Sequence, residues 1–364
     1  MASLAGGIIG LPNAGKSTIF NALTGGEAAV ASYCFCTISP NVGITIVPDA
    51  RLQKLAEIIQ PEIITPAAVE IVDVAGLIKG AHKGEGLGNE FLSRIRGVDV
   101  LIHVVRCFEE DIPHPEGSVD PVRDVEIIKT ELFLSDLEII TRRLTRLNKL
   151  LKSHPKYDEK FVDTLSRAKK ALEEGVYPEK YLSVEECSLI KEEGLLTLKP
   201  VVYVVNIQEE DIESPSPSLK RFREFAEKEG FSPIEVCGKL EMELMQLPRE
   251  EREKFAEEMG IGESATGRIA KEVFDKLSLI SFFTITGGKE VRAWAVRKGT
   301  LAVEAAGKVH SDMQRGFIKA EVIPFEEFLK IGSFRRAKEE GKVRIEGKDY
   351  NIKDGDIIHF QFAP

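Results

Sequence analysis

The sequence predicts an α/β fold: a mostly parallel, helix-covered sheet with ligand at the carboxyl ends of its strands, a helical insertion, and a smaller C-terminal module of short strands. Three observations predict it. A glycine-bearing loop, Gly10-Leu11-Pro12-Asn13-Ala14-Gly15-Lys16-Ser17, lies between an apolar run and a helical pattern. Apolar runs at 69–74, 100–106 and 200–207 read as buried strands. Between 133 and 172, apolar residues recur at alternating spacings of four and three.

Composition sets the outer limits. The 364 residues are 43% hydrophobic and 30% charged, which is ordinary for a folded globular chain of two or three domains. A net charge of −10 argues against a wholesale electrostatic grip on nucleic acid, so any RNA contact must be local. The first apolar run, 4–9, has no basic residue before it and leads straight into the loop, so it reads as a core strand rather than a signal. No apolar stretch approaches the roughly 18–20 residues a membrane helix requires, and a cytoplasmic protein without membrane contact is expected. Cys34, Cys36, Cys107, Cys187 and Cys237 are odd in number and lack a Cys-x-x-Cys pair, which fits reduced thiols.

The loop has Walker A spacing on a strand-loop-helix turn. Gly10 and Gly15 let the backbone turn its N–H groups, from Asn13 and Ala14 through Ser17 and Thr18, inward around phosphate oxygens. Lys16 is expected to reach the β and γ phosphates, and the Ser17 hydroxyl to ligate Mg²⁺. Thr37, in the loop before the next strand, is the candidate to complete Mg²⁺ and γ-phosphate coordination; a turn or capping threonine is the competing reading. The strand 69–74 runs into Asp73-Val74-Ala75-Gly76, where Asp73 is placed to hold the metal and the Gly76 N–H to sense the γ-phosphate. The next residue is Leu77, so a side chain that orients water is absent there. His114, between two prolines after the strand 100–106, is a candidate to position water if its loop folds over the site. The competing reading is an ordinary surface histidine, with His82 a weaker rival.

The base-reading strand ends in Asn206-Ile207-Gln208-Glu209, where a guanine site usually has Asn-Lys-x-Asp. An aspartate there accepts from guanine N1–H and its 2-amino group. Glu209 stands one methylene further out, which loses that double bond and leaves Asn206 and main-chain groups to read adenine. Downstream, Val236-Cys237-Gly238-Lys239 takes the place of the last purine motif, and the Lys239 stem is expected to cover the base.

Together these stretches resemble the YchF, or Obg-like ATPase, family within the translation-factor branch of P-loop NTPases. The resemblance rests on 10–17, 33–43, 73–89, 104–109 and Glu290-Val-Arg-Ala-Trp-Ala295, and extends over essentially the whole chain. It implies Mg²⁺-dependent hydrolysis of ATP, with GTP weaker, by a G-type domain carrying a coiled-coil insertion and a C-terminal TGS domain. It also implies a ribosome or ribosomal subunit as partner. Three departures stand out: Cys34 for proline, Ile207-Gln208 within the base motif, and Cys237-Gly238 for Ser-Ala. The rivals are a GTPase with relaxed base reading and a nucleotide-gated ribosome binder whose hydrolysis is incidental.

The remaining elements follow in order. Phe133, Leu137, Ile140, Leu144, Leu147 and Leu151 should zip against Phe161, Leu165, Ala168 and Leu172 as two antiparallel helices, and Ser183-x-x-Glu186 reads as a capping box. Short strands at 281–286, 290–296, 318–323, 343–345 and 357–362, with a helix at 325–329, look like the ubiquitin-like β-grasp of a TGS domain. Arg292, Arg297, Lys298, Arg315, Lys319, Arg335, Arg336 and Lys338 give that region local positive charge, which serves RNA contact or solubility equally. The expected division is 1–122 with 198–278 for the nucleotide domain, 123–197 for the insertion and 279–364 for the TGS domain, in a monomer.

Overall fold

The computed structural model describes residues 4–25, 41–74, 87–153, 159–247, 251 and 264–363, with the side chains of 87–91 and 151–153 left aside. Its strands are β1 (Ala5–Ile9), β2 (Val42–Ile46), β3 (Ile63–Thr65), β4 (Ala68–Asp73), β5 (Val100–Cys107), β6 (Val201–Ile207), β7 (Ile234–Val236), β8 (Leu279–Thr286), β9 (Glu290–Arg297), β10 (Phe317–Pro324), β11 (Arg344–Glu346) and β12 (Asp356–Phe362). They form two six-stranded sheets, and the chain divides into two compact units. No helix among the described residues is long and apolar enough to cross a membrane.

The first unit takes the described residues up to 22, 41–42, and those from 71 to 265. Its sheet belongs to the order β2-β4-β1-β5-β6-β7, and β1–β5, β5–β6 and β6–β7 all pair in parallel. All five residues of β1 and all eight of β5 are buried, as strands covered on both faces must be. Their apolar side chains pack under helices on either side, one cluster through Ile95, Ile128 and Leu132 and another through Leu219 and Phe222. This core fixes the carboxyl ends of β1, β5 and β6 side by side.

The inserted helices leave that core directly. The helix Pro121–Ser153 buries Val125, Ile128 and Leu132 against the sheet, then turns Phe133, Ile140 and Leu147 toward Leu165, Ala168 and Leu172 of the helix Glu159–Glu173. The two run antiparallel: the Arg143 guanidinium sits 5.8 Å from the Phe161 ring at one end, and Phe133 meets Tyr177 edge-on at 4.9 Å at the other. The Leu151 side chain lies outside the described residues. Asp136, fully buried, accepts from the main-chain N–H groups of Leu196 and Thr197 and from the Thr197 hydroxyl, at 2.8–3.1 Å. It thereby ties the returning segment to the long helix. The capping box is present, with Ser183 and Glu186 each bonding the other's main-chain N–H.

In the second unit the sheet order is β11-β10-β12-β8-β9-β3. β8 and β9 form an antiparallel hairpin, β12 joins β8 in parallel, and β10 pairs antiparallel with β12 and β11. One face packs Phe282, Val322 and Phe360 under the helix Ala302–Val309, and the other packs Phe283, Ile323 and Phe328 with Leu55. The division differs from the expected one at 43–70. β3 adds to the C-terminal sheet in parallel with β9, so this stretch groups with residues from 266 onward. Among the basic residues singled out, Lys338 and Lys319 turn to the buried carboxylate of Glu321, Arg315 to Asp312, Arg335 to Glu339, and Arg292 lies over Trp294 at 4.0 Å.

Candidate functional site

The glycine-bearing loop leaves β1 and enters the helix Lys16–Thr24, as expected for a phosphate cradle. Gly10 has φ of 150° and Gly15 of 86°, both in the region that L side chains avoid. Space forbids a side chain as firmly: a Cβ on Gly10 would meet the Val104 carbonyl oxygen at 2.4 Å, and one on Gly15 would meet Asn206 Nδ2 at 2.1 Å. The loop backbone is therefore pressed against β5 and β6.

Lys16 is nearly buried, and its ammonium donates to the Leu11 carbonyl at 2.7 Å. Burial lowers its pKa to about 8, against the opposite pull of the Asp73 carboxylate. Such an amine gains most when a phosphate replaces the single carbonyl as its partner. Ser17 Oγ donates to Asp73 Oδ2 at 3.3 Å, so the loop helix and the end of β4 bring a hydroxyl and a carboxylate together. These are hard oxygen donors, suited to a small divalent cation that keeps most of its water and takes phosphate oxygens. Thr37 and Gly76, with Cys34 and His82, lie outside the described residues. Beneath the loop, His103 of β5 is buried and held neutral, its pKa lowered to about 3 by burial and then by the Lys16 charge.

A cavity of about 470 Å³ opens beside the loop. Asn13, Gly15, Thr18, Asn206, Ile207, Gln208, Glu209 and Lys239 all line it, so the sequence-predicted nucleoside residues converge. Asn206 is used differently from the expectation. Its Nδ2 donates to the Ala14 carbonyl at 3.2 Å and its Oδ1 accepts from the Gly238 N–H at 3.0 Å. The amide braces the phosphate loop against the first turn of the helix Gly238–Gln246, and both of its ends are engaged before any base enters. Ile207 is buried in the core beneath, while Glu209 is exposed at the start of the helix Glu210–Glu213.

His114 is not an ordinary surface histidine. Its ring is 3% exposed, and Nε2 lies 2.9 Å from Oδ2 of Asp124, itself 4% exposed. Nδ1 accepts from the Glu116 N–H at 3.1 Å. Burial pushes the Asp124 carboxyl up, against Arg123 and His114, which pull it down. With both nitrogens engaged, the ring ties the loop at 114–116 to Asp124 in the first turn of the long helix. The adjacent Pro113 carbonyl accepts from Asn13 Nδ2 at 2.9 Å.

Cys237 and Glu210 complete that side, and a further wall comes from Phe108, Glu109, Glu110 and Ile112, none of which the sequence marks as a site residue. They are held by Arg106, at the end of β5. Its partners are main-chain carbonyls, and these carry no signal in a sequence.

Comparison with known proteins bears on this arrangement. A family model described as "50S ribosome-binding GTPase" matches residues 6–140, and the YchF GTPase C-terminal model, described as "Protein of unknown function (DUF933)", matches 279–363. The chain is 48% identical over 364 residues to a protein of Bacillus subtilis named ribosome-binding ATPase YchF, covering 99% of each. It is 45% identical over 358 residues to a protein of the same name from Escherichia coli O157:H7, covering 98% of each. The solved structure of the Schizosaccharomyces pombe YchF GTPase superposes with a TM-score of 0.88 at 34% identity, covering 99% of this chain and 98% of that one. Similarity of this extent, over a P-loop GTPase fold whose phosphate loop, strand-end aspartate and cavity are all in place, makes the chain a member of the YchF family of P-loop NTPases.

Proposed function

We propose that the protein is a cytoplasmic, Mg²⁺-dependent nucleoside triphosphatase that prefers ATP and whose nucleotide state controls association with a ribosome or ribosomal subunit. The observation that carries this reading is the phosphate loop with buried Lys16 and the Ser17–Asp73 pair, opening onto the cavity at the ends of β5 and β6. Lys16 and the loop amides from Asn13 to Thr18 stabilise the charge that develops on the transferred phosphoryl group. Ser17, Asp73 and Thr37 would hold Mg²⁺, which when bound would neutralise charge on the phosphates. The Gly76 amide reports the γ-phosphate, and Gln208, Glu209 and Lys239 bound the base. His114 is held by Asp124 in this conformation, so water positioning requires either its release or a group from a partner. Intrinsic turnover is then slow.

For the chain organisation, we propose a G-type nucleotide domain, a coiled-coil insertion at 123–197 and a TGS domain from 279. The helical seam and the β9-β8-β12-β10-β11 order with parallel β8 and β12 support it. Charge supports a role for the last part in meeting RNA. Residues 279–364 carry 15 Lys and Arg against 12 Asp and Glu, a net of +3, whereas the rest of the chain carries −13. The relatives' shared name supports the ribosome as partner. The GTPase alternative keeps support from the description of the Schizosaccharomyces pombe structure.

Pelleting the purified protein with ribosomes tests the switch. Association is expected to be at least about fivefold tighter with a non-hydrolysable ATP analogue than with ADP, the range of an ordinary coupling energy. Equal pelleting in both states would remove the nucleotide switch from the reading.

A further inference from the structure

The segment 108–112 forms one wall of the cavity yet contains neither helix nor strand, so its carbonyls have no ladder to join. Arg106, 1% exposed, supplies a partner for three of them, and the Glu110 carbonyl also accepts from the Ile112 N–H at 2.7 Å. Its Nε donates to the Phe108 carbonyl at 3.1 Å, Nη1 to the Ile112 carbonyl at 3.2 Å, and Nη2 to the Glu110 carbonyl at 3.3 Å. The guanidinium carbon also lies 4.6 Å from the centroid of the Phe108 ring. Three nitrogens in one rigid plane thus gather three carbonyls from five residues of chain, a geometry that the single ammonium of lysine does not reproduce. Among the described residues no carboxylate neutralises this buried cation. Its charge is met by dipoles that belong to the wall itself and by a π face.

We propose that Arg106 is a positioning residue for the nucleoside, a role that rests on the cavity being the nucleotide site. It folds 108–112 so that Phe108 faces the base, and it acts on the base without touching it. The register of the sheet strengthens the assignment. Arg106 and Asn206 are direct partners in the parallel pairing of β5 and β6. Neighbours in that register project to the same side of the pleat. One braces the base wall, and the other braces the phosphate loop. Arg106 therefore governs grip on the nucleoside and leaves the phosphate cradle intact.

Calorimetry on the full chain separates these grips, using Mg²⁺ with ATP and, in parallel, Mg²⁺ with inorganic tripolyphosphate. Arg106→Lys is expected to weaken ATP by about tenfold or more while tripolyphosphate stays within about twofold. In steady-state hydrolysis KM should rise and kcat stay within about threefold. Phe108→Ala, which leaves the clamp in place, should lose ATP affinity to a similar extent, and the double variant should lose little more than either single one. If Arg106→Lys fails to unfold cooperatively, the Phe108→Ala titrations and the main-chain hydrogen exchange of 108–112 decide the matter. Unchanged ATP affinity in Arg106→Lys would overturn the proposal, as would equal loss of ATP and tripolyphosphate or an additive double variant. A wild-type protein that binds neither ligand would overturn the nucleotide reading itself, which the variants do not touch.

Discussion

Gly15→Ala is expected to remove nucleotide binding and to destabilise the first unit together. The new Cβ would stand 2.1 Å from Asn206 Nδ2, on a backbone with φ of 86°. The left-handed conformation alone costs roughly 1–2 kcal/mol for an alanine. Relief by moving Asn206 breaks its bonds to the Ala14 carbonyl and the Gly238 N–H, each worth about 1 kcal/mol. The sum is a loss of about 3–4 kcal/mol. Because the same bonds hold the phosphate loop in register with the base loop, ATP affinity should fall by at least about 100-fold. Denaturant unfolding with and without Mg-ATP checks both parts. The wild type should gain stability from the ligand by mass action, and the variant should start lower and gain nothing. A Gly15→Ala protein that binds ATP normally would mean that the loop closes in some other conformation.

Lys16→Ala should behave in the opposite way with respect to stability. Its ammonium is buried with one carbonyl as partner, and burial lowers its pKa to about 8, so the empty protein carries a cost for keeping it charged. Alanine relieves that cost, and the thermal midpoint of the nucleotide-free protein should not fall. Hydrolysis should fall by at least about 100-fold, the scale of losing one preorganised donor to the transition-state charge. Single-turnover phosphate release beside a thermal melt measures both. Undiminished hydrolysis would sink the catalytic role of Lys16, and a collapsed melt would recast it as a structural residue.

Much of the fold was legible because local chemistry dictates it. The Walker A turn needs its glycines at fixed places, and the C-terminal strands, read from β-branched and aromatic runs, stand within two residues of where they were expected. The short helices Ala302–Val309 and Phe334–Glu339 were not read, since six to eight residues carry too little periodicity to declare a face. Residues 43–70 were assigned to the nucleotide domain because they follow its first helix in sequence. β3 pairs with β9 more than two hundred residues later, and no short-range pattern announces such a partner.

At the site, a residue with a private chemistry is legible in the sequence, whereas one that depends on distant or main-chain partners is not. Two flanking prolines make His114 read as a loop or surface residue, whereas its partner Asp124 stands ten residues on, in the first turn of a helix. Asn206 was read as a base contact because an amide matches a purine edge, yet the same amide matches two main-chain groups. Arg106 ends an apolar strand and its hydrogen bonds go to main-chain carbonyls, which a sequence does not display.

The most direct test of the central claim is a side-by-side calorimetric titration of the nucleotide-free protein with ATP and with GTP in Mg²⁺. The arrangement predicts ATP tighter by tenfold or more, about 1.4 kcal/mol, with Glu209 exposed and one methylene too far out for guanine's paired donors. GTP binding as tightly or more tightly would show that Glu209 still reads guanine and would replace the ATPase with a GTPase. Failure of both nucleotides to bind would contradict the assignment of the cavity itself.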